Sequence, residues 1–346
     1  MEAKVSAEVA RAKAHLLAGG IVRIPKNFRL PFSPSRSTAG PGAGLPEVVF
    51  SFGGTRAKKA VSRTEGEFRL HQSESGLRLV RGAEVVIDAV ELLPTLYHAP
   101  FQAFINADSN CMLNCSFCNT HRLKHDITKN LTDDDIIDMA VSAAASEGFS
   151  GVALTSGVPI SVEETVQRIT ALVRGIREAL PDAPIGVEPY VTHPRHVEEL
   201  REAGATEIKL NIESFDPDIF GMVCPGRDYT AILHAINHAC GVFGRNRVCS
   251  NIIFGMGETD ENVLHGSKVL ANMGAVATLR ALRVNEHNIA DLKAAIGEIR
   301  PITANRMLNL AREQKAILSE HGLTPLAFHT MCHACLCCDI VPFWDV

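Results

Sequence analysis

The chain has 346 residues, 46% of them apolar and 21% charged, enough to bury one large α/β core or two smaller ones. No apolar run reaches membrane-span length, and the polar start Met1-Glu-Ala-Lys-Val is unlike a secretion signal, so the expectation is a soluble, cytoplasmic protein. A net charge of −5 and a pI near 6.3 supply no bulk attraction to nucleic acid or to anionic membranes. The expected partner is instead a small-molecule or carrier-protein-bound substrate. Ten cysteines in such a chain point to metal ligation rather than disulfides.

In chain order, Val5 to Leu17 carries apolar residues at helical spacing and stops at Gly19-Gly20. Pro25 to Pro46 has the composition of a loop, with Arg29 and Arg36 as candidate anion clamps. Short β-rich runs follow at 48–52, 68–70, 77–80 and 85–87, which predict a small antiparallel subdomain. After Tyr97 the pattern changes to strands alternating with amphipathic helices, the signal for a parallel sheet. Strands are predicted at 101–106, 151–155, 185–188, 207–212, 247–254 and 277–284, with helices at 132–146, 162–180, 196–203, 229–242 and 261–273. A last helix is predicted from Asn305 to Glu320. The division is therefore an N-terminal extension (1–95), an α/β core (96–300) and a C-terminal helix with a cysteine-rich tail (301–346).

Two cysteine groups stand out. Cys111-Met-Leu-Asn-Cys115-Ser-Phe-Cys118 places three thiols in a loop directly after the first core strand, where parallel α/β folds put their chemistry. Soft thiolates at this spacing suit iron-sulfur or zinc ligation, and the missing fourth cysteine would leave one metal position open. A zinc knuckle completed by His121 or His125 is the rival reading. The second group, Cys332, Cys335, Cys337 and Cys338, lies in a tail whose apolar end Ile340-Val-Pro-Phe343-Trp344 can dock on the core. It too reads as metal ligation, with zinc or a redox-active pair as alternatives. Cys224, Cys240 and Cys249 are scattered and read as small buried apolar residues.

The triad, with Phe117 just before its last cysteine, resembles the signature of the radical S-adenosylmethionine (radical SAM) enzymes. The likeness is to the biotin synthase and methylornithine synthase branch and covers roughly Gln102 to Glu286. It implies a partial (β/α)6 TIM-type barrel in which Cys111, Cys115 and Cys118 hold a 4Fe-4S cluster whose open iron binds S-adenosylmethionine. One electron then yields a 5′-deoxyadenosyl radical. Cofactor contacts implied by the resemblance are Phe117, Ser156, Gly157, Glu188, Glu213, Ser214, Gly255 and Arg283, although the acid usual beside Ser156-Gly157 is absent. Glu258 would cap the helix that follows it, and Arg227 would bind an anion. The second cysteine group would hold an auxiliary iron-sulfur cluster, and a ferredoxin or flavodoxin would supply the electron. The leading expectation is a sulfur-inserting transferase of the biotin or lipoyl synthase type; a mutase, lyase or methylase is the alternative. A non-catalytic iron-sulfur or zinc scaffold is the reading from another class.

Overall fold

The computed structural model describes residues 2–123 and 131–346, so His125 lies outside the described residues. Helix α1 (Ala7–Ala18) opens the chain, followed by strands β1 (Val22–Arg23), β2 (Ser35–Arg36), β3 (Pro46–Phe52), β4 (Thr55–Ser62), β5 (Phe68–Ser73), β6 (Gly76–Arg81) and β7 (Glu84–Leu93). The core then runs β8 (Gln102–Asn106), α2 (Asp133–Ala144), β9 (Gly151–Thr155), α3 (Val162–Ala179), β10 (Ile185–Glu188), α4 (Pro194–Glu202), β11 (Glu207–Lys209), α5 (Pro217–Val223), α6 (Tyr229–Phe243), β12 (Val248–Phe254), α7 (Asp260–Met273) and β13 (Val276–Ala281). Helices α8 (Ile289–Ile296), α9 (Ala304–Glu320) and the short α10 (Met331–Cys335) complete it.

Strands β8 to β13 form one six-stranded sheet in sequence order, every neighbouring pair parallel. This is the parallel sheet expected from the alternating pattern, in the partial barrel that the resemblance implies. Local chemistry starts its helices where hydrogen-bonding side chains fall: Thr132 and Asp135 make a reciprocal capping box on α2, and Asp228 caps α6. No helix among the described residues is long and apolar enough to cross a membrane.

The N-terminal sheet differs from the antiparallel expectation. Its order is β2-β3-β4-β1-β5-β6-β7 with β3 also pairing β7, so six strands close on themselves around Val22, Phe50, Phe68, Leu70 and Leu79. Strand β1 runs parallel to both β4 and β5, which makes the sheet mixed. Strand β4 escapes the sequence pattern because it is buried along nearly its whole length, Lys58 and Lys59 included, and shows no alternation.

The stretch expected to be only a loop spans the barrel's open seam. Strands β8 and β13 are the two edges of the core sheet. Asn106, at the end of β8, donates to the Thr38 carbonyl at 2.9 Å, and Asn285, beyond β13, donates to that of Pro41 at 2.8 Å. Between them Asn119 donates to Pro41 at 2.9 Å and to Ala43 at 3.3 Å. Three asparagines thus clip residues 38–43 across the gap that would otherwise form a lateral mouth.

The tail enters the barrel from the opposite end. Glu207 accepts hydrogen bonds from the backbone N–H groups of His329 (2.8 Å) and Thr330 (3.0 Å) and from the Thr330 hydroxyl, while Gln102 bonds both backbone groups of Met331. Gly186 makes room: a Cβ there would collide with Thr330 Oγ1. The tail is then locked to α1 by Lys13 and Asp345, a fully buried ion pair at 2.6 Å in which Asp345 also accepts from Thr55 (2.7 Å) and from the backbone of Val341 (2.7 Å). Removing one partner leaves the other charge buried alone, which costs about 3 kcal/mol or more. Lys13→Met is expected to lower stability in urea melts by about that amount, and Lys13→Met with Asp345→Leu to recover part of it; a single variant as stable as the parent would show that this pair does not hold the tail.

Candidate functional site

The loop after β8 is pinned along its length before it reaches its last cysteine. Met112 donates its backbone N–H to Val158 at 2.8 Å, Ser116 to Val223 at 2.8 Å, and Asn288 donates its amide to the Phe117 carbonyl at 2.9 Å. Arg122 bonds the Cys118 carbonyl and pairs with Asp291. Gly157 sits against this loop so closely that a Cβ would strike the Asn110 carbonyl and come within 3.0 Å of Cys111 Cβ. The result is that Cys111, Cys115 and Cys118, with Phe117, line one cavity of about 960 Å³ inside the barrel. Among the described residues no three His, Cys, Asp or Glu side chains converge closely enough to hold a single ion. Separate thiols around a void suit a multi-iron group, where each sulfur takes its own iron, better than one zinc. His121 lies instead in a surface recess with Asn114, Arg122 and Asp291. Burial above all pushes the Cys118 thiol up to about 11.

Across the cavity, Glu213 just after β11, Asn251 on β12 and Arg227 ahead of α6 bring polar atoms that have no partner among the described residues. Glu213 is held at φ 63°, an unusual conformation for a residue with a side chain, by its N–H donating to Asn251 (2.9 Å) and its carbonyl accepting from Ile253 (2.7 Å). Its Oε1 pairs with Arg227 at 3.4 Å, and its Oε2 is buried and unpaired among the described residues. Asn251 Oδ1 and Arg227 Nε are likewise buried without partners among the described residues. Burial raises the Glu213 carboxyl above the ordinary range, an effect the adjacent Arg227 opposes. Arg227 itself lies over the Tyr190 ring at 5.2 Å. Unsatisfied buried groups cost stability unless a ligand completes them. Acceptors and a guanidinium facing the thiols fit a polar, cationic cofactor.

The second cysteine group divides in two. Cys332 and Cys338 line the same cavity, whereas Cys335 and Cys337 lie beneath it, buried among Val49, Ala99, Phe104 and Ala153, with the Cys337 thiol donating to the Cys335 carbonyl at 3.2 Å. The Cys332 sulfur accepts from Lys209 Nζ at 3.2 Å and from Arg280 Nη2 at 3.1 Å. Both cations are otherwise paired, Lys209 with Glu188 (3.2 Å) and Arg280 with Asp339 (2.8 Å). Burial works against the Lys209 ammonium, but Cys332 and Glu188 beside it carry its pKa above the ordinary lysine value. Cys332 thus has two charge-assisted donors on its sulfur.

Of the residues singled out in the sequence, Cys111, Cys115, Phe117, Cys118, Ser156, Gly157, Glu188, Glu213, Cys332 and Cys338 therefore line one cavity. Others are spent elsewhere. The Ser214 hydroxyl serves its own turn, accepting from the Asp216 N–H at 3.1 Å. Gly255 is covered by Ile302, and Glu258, expected to cap the next helix, instead accepts from the Gly255 and Met256 N–H groups while Thr259 caps α7. Arg283 turns toward the N-terminal sheet and pairs with Glu47. Arg29 and Arg36 are exposed and away from the cavity. Sequence reasoning missed Lys58, Lys59, His98, Lys209 and Arg280, all on the cavity wall. The available signal was Lys209 alternating with Glu207 and Asn211 in a buried strand, polar residues that a parallel strand turns to one side.

A parallel partial barrel with three cysteines on the loop after its first strand defines a class, and comparison with known proteins agrees with it. Residues 106–265 match the family model described as the radical SAM superfamily. The chain is 32% identical over 163 residues to the biotin synthase of Geobacter metallireducens, covering 45% of this chain and 48% of the relative. It is 28% identical over 158 residues to the GTP 3′,8-cyclase of Alkaliphilus oremlandii, 44% and 47% of the two chains. The chain thus spans about half the length of these curated relatives. The crystal structure of methylornithine synthase has a similar fold, with TM-score 0.51 and 21% identity over 62% of each chain.

Because Gly157 is in contact with the cysteine loop, Gly157→Ala is expected to displace Cys111 and cut the iron retained after anaerobic reconstitution by more than half, with the far-ultraviolet dichroism unchanged. Full iron retention in that variant would show that the loop does not depend on this contact.

Proposed function

We propose that the chain is a radical SAM enzyme acting on an unactivated carbon of a substrate held in the cavity, and that sulfur insertion of the biotin or lipoyl synthase type is its reaction. Cys111, Cys115 and Cys118 would hold a 4Fe-4S cluster at three irons and leave the fourth for S-adenosylmethionine. When bound, that pair supplies the 5′-deoxyadenosyl radical that removes a hydrogen atom. The observation carrying the reading is that both cysteine groups reach one void, so a substrate carbon can lie between them.

The residues around the void have separate roles in this reading. Glu213 Oε2 and Asn251 Oδ1 accept hydrogen bonds from the cofactor's hydroxyl and ammonium groups, and Arg227, braced on Tyr190, fixes Glu213 in place. Cys332 and Cys338, with one of the two thiols beneath them, would supply three ligands of a second iron-sulfur cluster, with Lys209 and Arg280 balancing its charge at Cys332. That cluster is the proposed sulfur source, and a small electron-transfer protein such as ferredoxin or flavodoxin the proposed reductant. Ring closure or rearrangement without sulfur transfer is the second reading, favoured by the likeness to GTP 3′,8-cyclase.

Anaerobic reconstitution followed by assay for 5′-deoxyadenosine with dithionite tests the first step. Cys111→Ala, Cys115→Ala and Cys118→Ala are each expected to abolish cleavage of S-adenosylmethionine; cleavage retained in any of them removes that residue from the site, and no cleavage by the parent chain favours a non-catalytic scaffold. Cys332→Ser and Cys338→Ser are expected to lose the second complement of iron and sulfide while keeping 5′-deoxyadenosine formation. If sulfide per chain is the same before and after turnover, the reaction is a ring closure or rearrangement instead.

A further inference from the structure

The cavity has one region that neither cysteine group explains. Its outer wall is aliphatic, formed by Leu17 and Ile21 at the end of α1 and by Ile299 and Ile302 ahead of α9. Lys59 of β4 stands in this wall and is only 8% exposed. Every other buried or half-buried cation facing the void has a carboxylate: Lys58 has Glu47 at 3.3 Å, Lys209 has Glu188, Arg227 has Glu213, Arg280 has Asp339, and Arg283 has Glu47. Among the described residues no carboxylate is within ion-pairing distance of Lys59.

Its ammonium donates to the Gly19 carbonyl at 2.6 Å and, at 3.4 Å, to that of Leu17. These contacts cap the end of α1 and account for two of three hydrogens. The charged groups that face it are Arg283 beyond β13, Glu67 ahead of β5, Glu47 on β3 and Cys338 in the tail. The acids are already engaged: Glu67 takes the Gly20 N–H and Arg81, and Glu47 takes Lys58 and Arg283. Burial first, and Arg283 second, accordingly pull the Lys59 pKa down to about 7. A charge desolvated without an opposite partner costs several kcal/mol, a cost that an arriving anion would offset.

We propose that Lys59 anchors a carboxylate of the substrate, and that the substrate is an aliphatic acid whose chain lies along the wall of Leu17, Ile21, Ile299 and Ile302. The inference deepens the proposed function, since it rests on the cavity being the substrate's chamber. It gives the N-terminal sheet a part in recognition, because β4 carries the anchoring group while the barrel carries the thiols. The chain on that wall lies in the same void that Cys118 and Cys338 line.

Hexanoate and hexanamide distinguish charge from shape. Binding is measured by equilibrium dialysis on the anaerobically reconstituted full chain, without reductant, so no turnover enters. Hexanoate is expected to bind at least about tenfold more tightly than hexanamide, the effect of one charge-assisted hydrogen bond. Lys59→Arg is expected to keep that preference and Lys59→Met to lose it with hexanamide binding unchanged. Equal affinity for acid and amide in the parent chain, or a preference that survives Lys59→Met, overturns the proposal. Should Lys59→Met fail to fold, protection decides: hexanoate is expected to slow reductive methylation of Lys59 in the parent chain, read by peptide mass spectrometry, and labelling at the same rate with and without it overturns the proposal. A negative result leaves cleavage of S-adenosylmethionine untouched, and loss of cleavage in Cys111→Ala leaves the acid preference in place.

Discussion

Six parallel strands do not close a barrel, and the unclosed seam between β8 and β13 sets the requirement that the remaining parts of the chain meet. An interior lined by lysines, arginines and several thiols cannot stand open to water along its whole side without losing the low-dielectric setting that makes its charge pairs strong. Here the seam is covered by residues 38–43, clipped by Asn106, Asn119 and Asn285, and the lower end is filled by the tail resting on Glu207 and Gln102. The void between these two closures is consequently built by three separate parts of the sequence. Its walls belong to no single domain.

The same closure explains the distribution of charge. Lys58 and Lys209 are buried and Arg280 and Arg283 half-buried, each costly to desolvate, and each pairs with an acid outside its own strand, Glu47 serving both Lys58 and Arg283. Two pairs link parts of the chain that share no backbone hydrogen bonding in the core sheet: Arg283 with Glu47 joins barrel to N-terminal sheet, and Arg280 with Asp339 joins barrel to tail. Ion pairs of this sort are orientation-specific, so they fix how the three parts meet as well as neutralising one another. Lys209 and Arg280 also bring two cationic donors to the Cys332 sulfur.

Legibility from sequence followed the range of the interactions involved. The barrel strands and helices were readable because their periodicities are local, and the loop cysteines were readable because a triad in eight residues has few structural explanations. Strand β4 was not, since a strand buried on both faces lacks alternation and its two lysines look exposed on composition alone. The seam strap was not, since the asparagines that hold it stand between 68 and 244 positions further along the chain and reach it only through folding. The separation of Cys332 and Cys338 from Cys335 and Cys337 was equally hidden, because the short α10 and the left-handed Leu336 that create it depend on docking into the barrel.

The Lys13–Asp345 pair joins residues 332 positions apart, and the Trp344 carbonyl accepts the backbone N–H groups of Lys4 and Val5. A contact of that span closes a very long loop, so its loop-closure entropy is large and it gains little until the segments between are packed. Once it is seated, Cys335 and Cys337 are 7% and 1% exposed. Any reagent or metal ion meant for those two sulfurs would have to reach them before the tail is seated, whereas Cys111, Cys115 and Cys118 line the void and stay reachable through it.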